Sequence, residues 1–235
     1  MIDIQSHRLV MTKILKDIYS DFQLSSLLGF KGGTALYLFY NLPRFSVDLD
    51  FNLLDLSKKD VVHIRVKNIV RKYGELKDEF LKRNTIFFML SYGESHRNIK
   101  IEISLTQFPN EYEIKQYLGL PILVMKKEYM AAHKLVALTE RKGVANRDIF
   151  DIWFFLKSGW SIKDEIVQLR TRLTLKEYIP KCIEFIESTK GKSILQGLGE
   201  VLDPKLKNWV KNNLAADAVF YLRYYLEEIS KSEKG

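Results

Sequence analysis

The sequence predicts an α+β protein, in which a mixed sheet with flanking helices covers residues 1–120 and an all-helical domain covers residues 121–235. Strand-like patterns occur only before residue 126, whereas helical spacing continues almost to the end of the chain. The length of 235 residues suits one large or two small domains, at about 150 residues per domain. Hydrophobic residues make up 46% and charged residues 28%, which is typical of a globular chain with its own core.

The first half alternates between helical and strand-like patterns. Apolar residues three or four positions apart predict helices, and alternation or short apolar runs predict strands. The predicted helices cover residues 8–28, 34–40 and 58–73. The predicted strands cover residues 46–54, 84–90, 99–105 and 121–125. The link at residues 93–98 suits a hairpin between the second and the third of these strands.

The second half carries helical patterns only. The predicted helices cover residues 127–142, 147–158, 162–172 and 175–188, and stretches between about 192 and 231. The change of pattern puts the domain boundary near residue 120.

The composition excludes several classes of protein. A single cysteine, Cys182, excludes an internal disulfide and a multi-cysteine zinc site. No run approaches the roughly 20 apolar residues of a membrane-spanning helix, and the N-terminus lacks the pattern of a secretory signal. The sequence therefore predicts a cytoplasmic protein that does not enter a membrane.

The net charge is +8, and the basic excess is concentrated in residues 58–100, which hold eleven basic and five acidic side chains. Such a surplus attracts polyanions through Coulomb attraction and counterion release. A solvated helix face produces the same surplus, so the charge indicates a function only together with a second feature that points to nucleotides. With such a feature, the basic helix at residues 58–72 is a candidate RNA-facing surface.

The most informative chemical feature is the pair Asp48 and Asp50. On a strand, residues two positions apart point to the same face, about 6.6–6.8 Å apart along the chain. Neighbouring carboxylates repel each other, so they either raise a pKa or require a cation. Mg²⁺ takes oxygen ligands and leaves positions for substrate phosphates, so the pair predicts a magnesium site.

Gly32 and Gly33 stand directly before a predicted helix. Because they lack Cβ atoms, their backbone N–H groups can approach a phosphate closely, and the positive end of the helix adds to the attraction. Thr34 either adds a hydroxyl donor or caps the helix. The order of glycine pair, short helix, turn and Asp-x-Asp strand predicts a phosphate-binding turn and a metal site on adjacent elements.

Glu102 is the candidate third carboxylate, on the polar face of the strand at residues 99–105. If that strand neighbours the strand of Asp48, Glu102 can reach the same metal or act as a general base toward a hydroxyl. The alternative is an exposed sheet residue that pairs with Lys100 or with a neighbouring strand.

A second cluster lies in the helical half. Lys134 and Arg141 share one face of a predicted helix, and Asp148 and Asp151 share a face of the next. Lys134 can bind a triphosphate as a compact cation, and Arg141 can fork onto phosphate oxygens. The alternative is structural, since Asp148 suits the first turn of a helix and Arg147 can pair with Asp151.

Four segments together resemble the AbiEii/AbiGii-type nucleotidyltransferase toxins of the polymerase-β-like superfamily. They are KGGTAL (31–36), RFSVDLDF (44–51), HKLVAL (133–138) with Arg141, and RDIFDIW (147–153). The resemblance spans roughly residues 30–158. It implies a nucleotidyltransferase-like mixed sheet followed by a helical domain.

The resemblance also implies an activity, a cofactor and partners. The activity is transfer of a nucleoside monophosphate from an NTP, with pyrophosphate leaving, and it depends on Mg²⁺ or alternatively Mn²⁺. Members act as bacterial toxins neutralised by a cognate antitoxin protein, and some modify the 3′ end of tRNA. The implied catalytic residues are Asp48, Asp50, Lys134 and Asp148, and the implied metal ligands are Asp48, Asp50 and Glu102. The implied nucleotide-binding residues are Lys31, Gly32, Gly33, Thr34, Ser46, Arg141 and Asp151.

Other functions remain open. The acceptor can instead be a protein or a small molecule such as an antibiotic. The chain can also be a non-catalytic module that keeps the fold, or a component that binds a partner through its helical half. The intact Asp-x-Asp pair argues against a module without activity, because such a module does not need two repelling carboxylates.

Overall fold

The computed structural model of the chain describes residues 3–93, 97–141, 146–189 and 193–232. It divides into two compact units, Met1–Lys126 and Lys127–Gly235. A seven-stranded mixed sheet with α-helices builds the first unit, and the described secondary structure of the second unit is helical. This arrangement confirms the predicted fold class. The last strand ends at Met125, so the units divide after residue 126, whereas the sequence pattern put the boundary near residue 120.

The strands of the first unit are β1 (Leu28–Lys31), β2 (Asp48–Leu53), β3 (Glu75–Leu81), β4 (Thr85–Ser91), β5 (Ile99–Ser104), β6 (Tyr112–Tyr117) and β7 (Leu120–Met125). Its helices are α1 (Ile4–Ser20), α2 (Gly32–Phe39) and α3 (Lys59–Arg71), the last preceded by a 3₁₀ turn at Leu56–Lys58. The helices of the second unit are α4 (Lys127–Glu140), α5 (Asn146–Lys157), α6 (Asp164–Thr171), α7 (Leu175–Ser188) and α8 (Pro204–Ser232).

The strands follow the order β3-β4-β5-β2-β1-β7-β6 across the sheet. The pairs β2–β5 and β1–β7 are parallel, and the other neighbours are antiparallel. The strands predicted at residues 84–90 and 99–105 form β4 and β5, which pair antiparallel as expected. Residues 94–96 of their predicted hairpin link lie outside the described residues.

The sequence patterns do not predict β1, β3 or β6. β1 has four residues, which is too few for a clear alternation. β3 and β6 form the two edges of the sheet, and side chains on both of their faces reach solvent. An edge strand tolerates charged residues on either face, and these discourage pairing with other chains, so the alternation that identifies an inner strand is lost.

Helices α1 and α3 cover one face of the sheet. The ring of Tyr19 in α1 lies 6.5 Å from that of Phe51 in β2. The ring of His63 in α3 stacks on Phe88 in β4 at 5.4 Å between centroids. Because side chains alternate along a strand, the residues on either side of Phe51 point to the opposite face of the sheet.

In the second unit, α4 packs against α5, α6 and α7, and the long C-terminal helix packs against α5 and α7. α8 spans 29 residues, and the rings of Trp153 in α5 and Trp209 in α8 lie 4.4 Å apart. The helical stretch predicted between residues 192 and 231 is interrupted by a 3₁₀ turn at Gly199–Val201 before α8 begins. Within the described ranges, no helix has both the length and the apolar character that a membrane span requires.

Candidate active site

Asp48 and Asp50 lie on the sheet face opposite α1 and α3, which we call the carboxylate face. Both are half-buried, whereas Leu49 between them is fully buried on the other face. In the parallel pair β2–β5, Asp48 stands opposite Lys100 and Asp50 opposite Glu102. Residues directly opposite each other on paired strands share a face. The strand of Glu102 is therefore the neighbour of the Asp48 strand, and Glu102 lies beside Asp50.

The carboxylate of Asp50 lies against the first residue of α2. Gly32 has a left-handed backbone (φ 79°), and a Cβ atom added there would lie 2.3 Å from Asp50 Oδ2. Lys31, the residue before this helix, stands opposite Asp50 in the β1–β2 pair. The N-terminus of a helix carries partial positive charge. The glycine therefore lets a carboxylate of β2 reach the positive end of α2.

Gly33 makes room for two further polar side chains. A Cβ atom added at Gly33 would lie 2.7 Å from Ser46 Oγ and 3.2 Å from Arg44 Nη2. Arg44 is only 3% exposed, and its Nη1 donates to the Phe45 carbonyl oxygen at 3.2 Å. The sequence interpretation placed Ser46 at the nucleotide but missed Arg44. The signal was an arginine within the same motif, but its burial against the glycine pair depends on tertiary packing.

Thr34 ties α2 to the strand of the aspartates. It is almost fully buried, and its Oγ1 donates to the backbone carbonyl oxygen of Asp48. The contact fixes the start of β2 relative to the first turn of α2. Thr34 thus positions Asp48, and its predicted contact with the nucleotide stays a prediction.

His7 of α1 binds the backbone of Val47, the residue before Asp48. Its Nε2 lies 2.9 Å from the Val47 carbonyl oxygen and its Nδ1 lies 2.7 Å from the Tyr92 hydroxyl. Because a carbonyl only accepts, Nε2 donates to Val47, and in the neutral ring Nδ1 accepts from Tyr92. His7 is fully buried. Sequence analysis missed this residue, because a lone histidine gives no sign that it holds the residue before Asp48.

Tyr112 of β6 borders the carboxylate face on the side of β1. A Cβ atom added at Gly29 would lie 2.2 Å from Tyr112 Cε1, so the ring packs directly on that glycine. Asn52 Nδ2 donates to the Tyr112 hydroxyl at 2.8 Å. Burial raises the pKa of Tyr112, although the hydrogen bond from Asn52 acts in the opposite direction. The tyrosine therefore keeps its proton at neutral pH.

The donor set of this face fits a hard divalent cation held by two carboxylates. Mg²⁺ is commonly bound through one or two carboxylates, with substrate phosphates and water completing the coordination. Asp48 and Asp50 supply two such groups beside a helix N-terminus that favours phosphate. Among the described residues, no group of three or more His, Cys, Asp or Glu side chains is gathered to hold a metal ion. Glu102 as a third ligand thus stays a prediction.

The second unit brings together the two residues predicted there as catalytic, Lys134 and Asp148, and the two predicted there as nucleotide-binding, Arg141 and Asp151. Lys134 Nζ lies 2.9 Å from Asp148 Oδ1 and 3.0 Å from Asp151 Oδ2, and Arg141 Nε lies 2.7 Å from Asp148 Oδ2. The side chain of Asp148 is 1% exposed, that of Asp151 0%, and that of Arg141 55%. Lys134 is therefore the cation that the two buried acids share, and Arg141 adds a second cation at Asp148. These ion pairs give the four residues a structural role within the unit, and their role toward a nucleotide stays a prediction.

The basic helix singled out in the sequence forms α3, on the sheet face opposite the carboxylates. Lys67 Nζ pairs with Glu79 at 2.7 Å and Lys72 Nζ pairs with Asp17 at 3.1 Å. These pairs offset part of the local charge surplus within the first unit. Because α3 lies on the other face of the sheet, the basic surplus of residues 58–72 does not lie beside the candidate site.

The mixed sheet and the Asp-x-Asp strand beside a glycine-led helix define a protein of the nucleotidyltransferase class. The family model described as "Nucleotidyl transferase AbiEii toxin, Type IV TA system" matches residues 13–200. The chain therefore belongs to the AbiEii nucleotidyltransferase toxin family of type IV toxin–antitoxin systems.

Two solved structures share the fold over almost the whole chain. One is the crystal structure of a provisionally assigned nucleotidyltransferase from H. pylori, with a TM-score of 0.59 and 24% identity over 97% of this chain and 96% of that one. The other is the crystal structure of JHP933 from Helicobacter pylori, with a TM-score of 0.60 and 24% identity over 98% and 96%. A search of curated proteins finds no match.

Proposed function

We propose that this chain is a cytoplasmic, metal-dependent nucleotidyltransferase that transfers a nucleoside monophosphate from an NTP to an RNA acceptor such as the 3′ end of tRNA. It acts as the toxin of a pair whose second member is an antitoxin protein. The placement of Asp48 and Asp50 on one sheet face, with Asp50 against the N-terminus of α2, carries the proposal. Membership of the AbiEii family supports it.

The first unit supplies groups for both the metal and the phosphates. Asp48 and Asp50 would hold Mg²⁺, or alternatively Mn²⁺, which when bound neutralises charge on phosphate oxygens and orients them. The N–H groups of Gly32 and Gly33 and the guanidinium of Arg44 would bind the departing phosphates. In the second unit, Asp148 and Asp151 hold the ammonium group of Lys134, and the family resemblance implies that Lys134 and Arg141 bind phosphate.

The proposed reaction requires one general base, which takes the proton of the acceptor hydroxyl. The oxygen of the acceptor hydroxyl bonds to the α-phosphorus while the bond between the α-phosphorus and the bridging oxygen breaks, and pyrophosphate leaves with that electron pair. The hydroxyl proton passes to a carboxylate. Glu102 is exposed and lies directly beside Asp50 across β5 and β2, so we assign it this role as general base. Positioning and charge stabilisation supply most of the rate.

The test is transfer of label from each of the four NTPs, radiolabelled at the α-phosphate, to total tRNA or to cell protein. Wild type with Mg²⁺ is expected to label tRNA with one or more of the nucleotides. Asp48→Asn is expected to lose about 100-fold in rate. Asp60→Asn is the matched control, since Asp60 is exposed on α3, and it should label tRNA as wild type does.

The other outcomes separate the remaining functions. Label on protein or on a small molecule would replace the RNA acceptor, and absence of label on every acceptor would favour a non-catalytic module. Growth arrest on expression tests the toxin role. If Asp48→Asn arrested growth as strongly as wild type, toxicity would come from partner binding rather than from transfer.

A further inference from the structure

One line of side chains crosses the carboxylate face at right angles to the strands. From β3 to β1 it consists of Phe80, Phe87, Glu102, Asp50 and Lys31, each directly opposite the next in the strand pairing. Neighbouring strands lie about 4.8 Å apart, so the backbone at Phe87 is about 5 Å from that at Glu102 and about 10 Å from that at Asp50. An aromatic residue therefore lies on the same face and one strand beyond the proposed base.

The two phenylalanines form a stacked pair outside the core. Their ring centroids are 4.7 Å apart and their planes differ by 11°. Both rings are half-buried. Phe88, which follows Phe87 in β4, instead points into the helix-covered core and is fully buried. Packing against α1 and α3 thus does not account for Phe80 and Phe87, since those helices lie on the other face.

One exposed cation contacts this pair, which we call the phenylalanine platform (Phe80 and Phe87), and two further exposed cations lie in the adjoining turn and strand. Lys82 Nζ lies 4.1 Å from the centroid of the Phe80 ring. Lys100, next to Glu102 on the same face, and Arg83, in the turn between β3 and β4, are both exposed. Aromatic rings flanked by cations bind single-stranded nucleic acid, because bases stack on the rings and phosphates attract the cations.

We infer that the phenylalanine platform stacks the terminal bases of the acceptor RNA strand and brings its end hydroxyl to Glu102. The inference rests on the proposed function and names where its acceptor binds. In an in-line displacement the attacking oxygen and the leaving group lie on opposite sides of the phosphorus. The departing phosphates are assigned to Gly32 and Gly33 beside β1, so the hydroxyl approaches from β5 and β4. That side carries the platform.

The test measures RNA binding directly and does not require transfer. A single-stranded RNA with the sequence of a tRNA acceptor end, fluorescein-labelled at its 5′ end, is titrated at fixed salt and followed by anisotropy. Phe87→Leu is expected to weaken binding about 5- to 150-fold, and Phe87→Trp, which keeps a stacking ring, to retain it. Phe22→Leu is the matched control, because Phe22 is 79% exposed in the same unit but outside the platform.

NTP affinity, measured by calorimetry, shows whether the platform binds the bases of the acceptor RNA or the base of the donor NTP. It should not change in Phe87→Leu; if NTP affinity fell and RNA affinity did not, the platform would hold the donor base and the inference would be wrong. Equal RNA affinity in wild type and a folded Phe87→Leu, or no RNA binding by wild type, would also overturn it. If Phe87→Leu failed to fold, Phe80→Leu and Lys82→Gln would give the same comparison. Wild type that binds RNA through the platform but labels no acceptor would contradict the transfer and leave the platform intact.

Discussion

Replacing Gly32 by alanine tests whether this glycine exists to seat Asp50. The residue opens α2 with a φ of 79°, and Gly119 in the turn between β6 and β7 has a φ of 80°. The two glycines therefore share a backbone conformation that side chains disfavour. They differ in surroundings, since a Cβ atom at Gly119 meets nothing within 4 Å whereas one at Gly32 meets Asp50. Gly119→Ala thus measures the cost of the backbone alone.

The expected magnitudes follow from that comparison. A left-handed conformation costs an L-residue about 1–2 kcal/mol, and both variants bear this cost. At Gly32 the new methyl group would also lie 2.3 Å from Asp50 Oδ2 and 2.9 Å from Asp50 Cβ. Rotation of the carboxylate relieves the first contact but not the second, because Cβ is fixed to the backbone of β2. Overpacking of this kind adds about 1–3 kcal/mol, which gives about 2–5 kcal/mol for Gly32→Ala.

Urea unfolding of the two variants measures the difference in the free energy of unfolding, and it does so whatever the protein's activity. The transfer assay follows, in which Gly32→Ala should lose about 100-fold because Asp50 is displaced, while Gly119→Ala should keep the wild-type rate. Equal destabilisation in the two variants would show that Asp50 does not depend on the missing side chain. Undiminished transfer by Gly32→Ala would refute the placement of Asp50 at the reacting phosphates.

Two further substitutions test the packing that supports each unit. Lys134→Met leaves the buried Asp148 and Asp151 without their shared cation, so the free energy of unfolding should fall by about 3–5 kcal/mol; adding Asp151→Asn should recover part of the loss, and a loss under about 1 kcal/mol would mean that the acids do not need the lysine. Gly29→Ala should cost about 1–3 kcal/mol because its methyl group enters the Tyr112 ring. Combining it with Tyr112→Ala should cost less than the sum of the single variants, whereas strict additivity would show that the two residues are not in contact.

The parts of the fold that the sequence predicts are those with a local pattern. Residues 84–90 and 99–105 alternate or run apolar because one face of each strand is buried, and they form β4 and β5. The spacing of Asp48 and Asp50 places both on one face for the same reason. β3 lacks this signal because it is an edge strand with charges on both faces, so its sequence alone identifies neither the strand nor the partner of Phe87.

The candidate site shows the same limit in its unpredicted residues. Arg44 and His7 act through burial against a glycine and a backbone carbonyl, and neither environment has a counterpart in residue spacing. Phe80 and Phe87 join the line of carboxylates only through the antiparallel pairs β3–β4 and β4–β5. Such contacts depend on strand register, and shifting the register by one residue would turn every side chain of the strand to the other face. The sequence therefore identifies residues that share one element more readily than residues gathered from several.

The position of a lysine in the fold indicates an RNA site better than the net charge of its sequence segment does. In the sequence, Lys67 and Lys72 of the basic helix contribute as much positive charge as Lys82 and Lys100 do. In the fold, the first two pair with carboxylates on the helix-covered side of the sheet, so their fields are largely offset where they stand. Lys82 and Lys100 instead flank the stacked rings and the carboxylates of the opposite face. A polyanion that approaches Asp50 meets the second pair, so a site for RNA is better sought there than where the sequence is most basic.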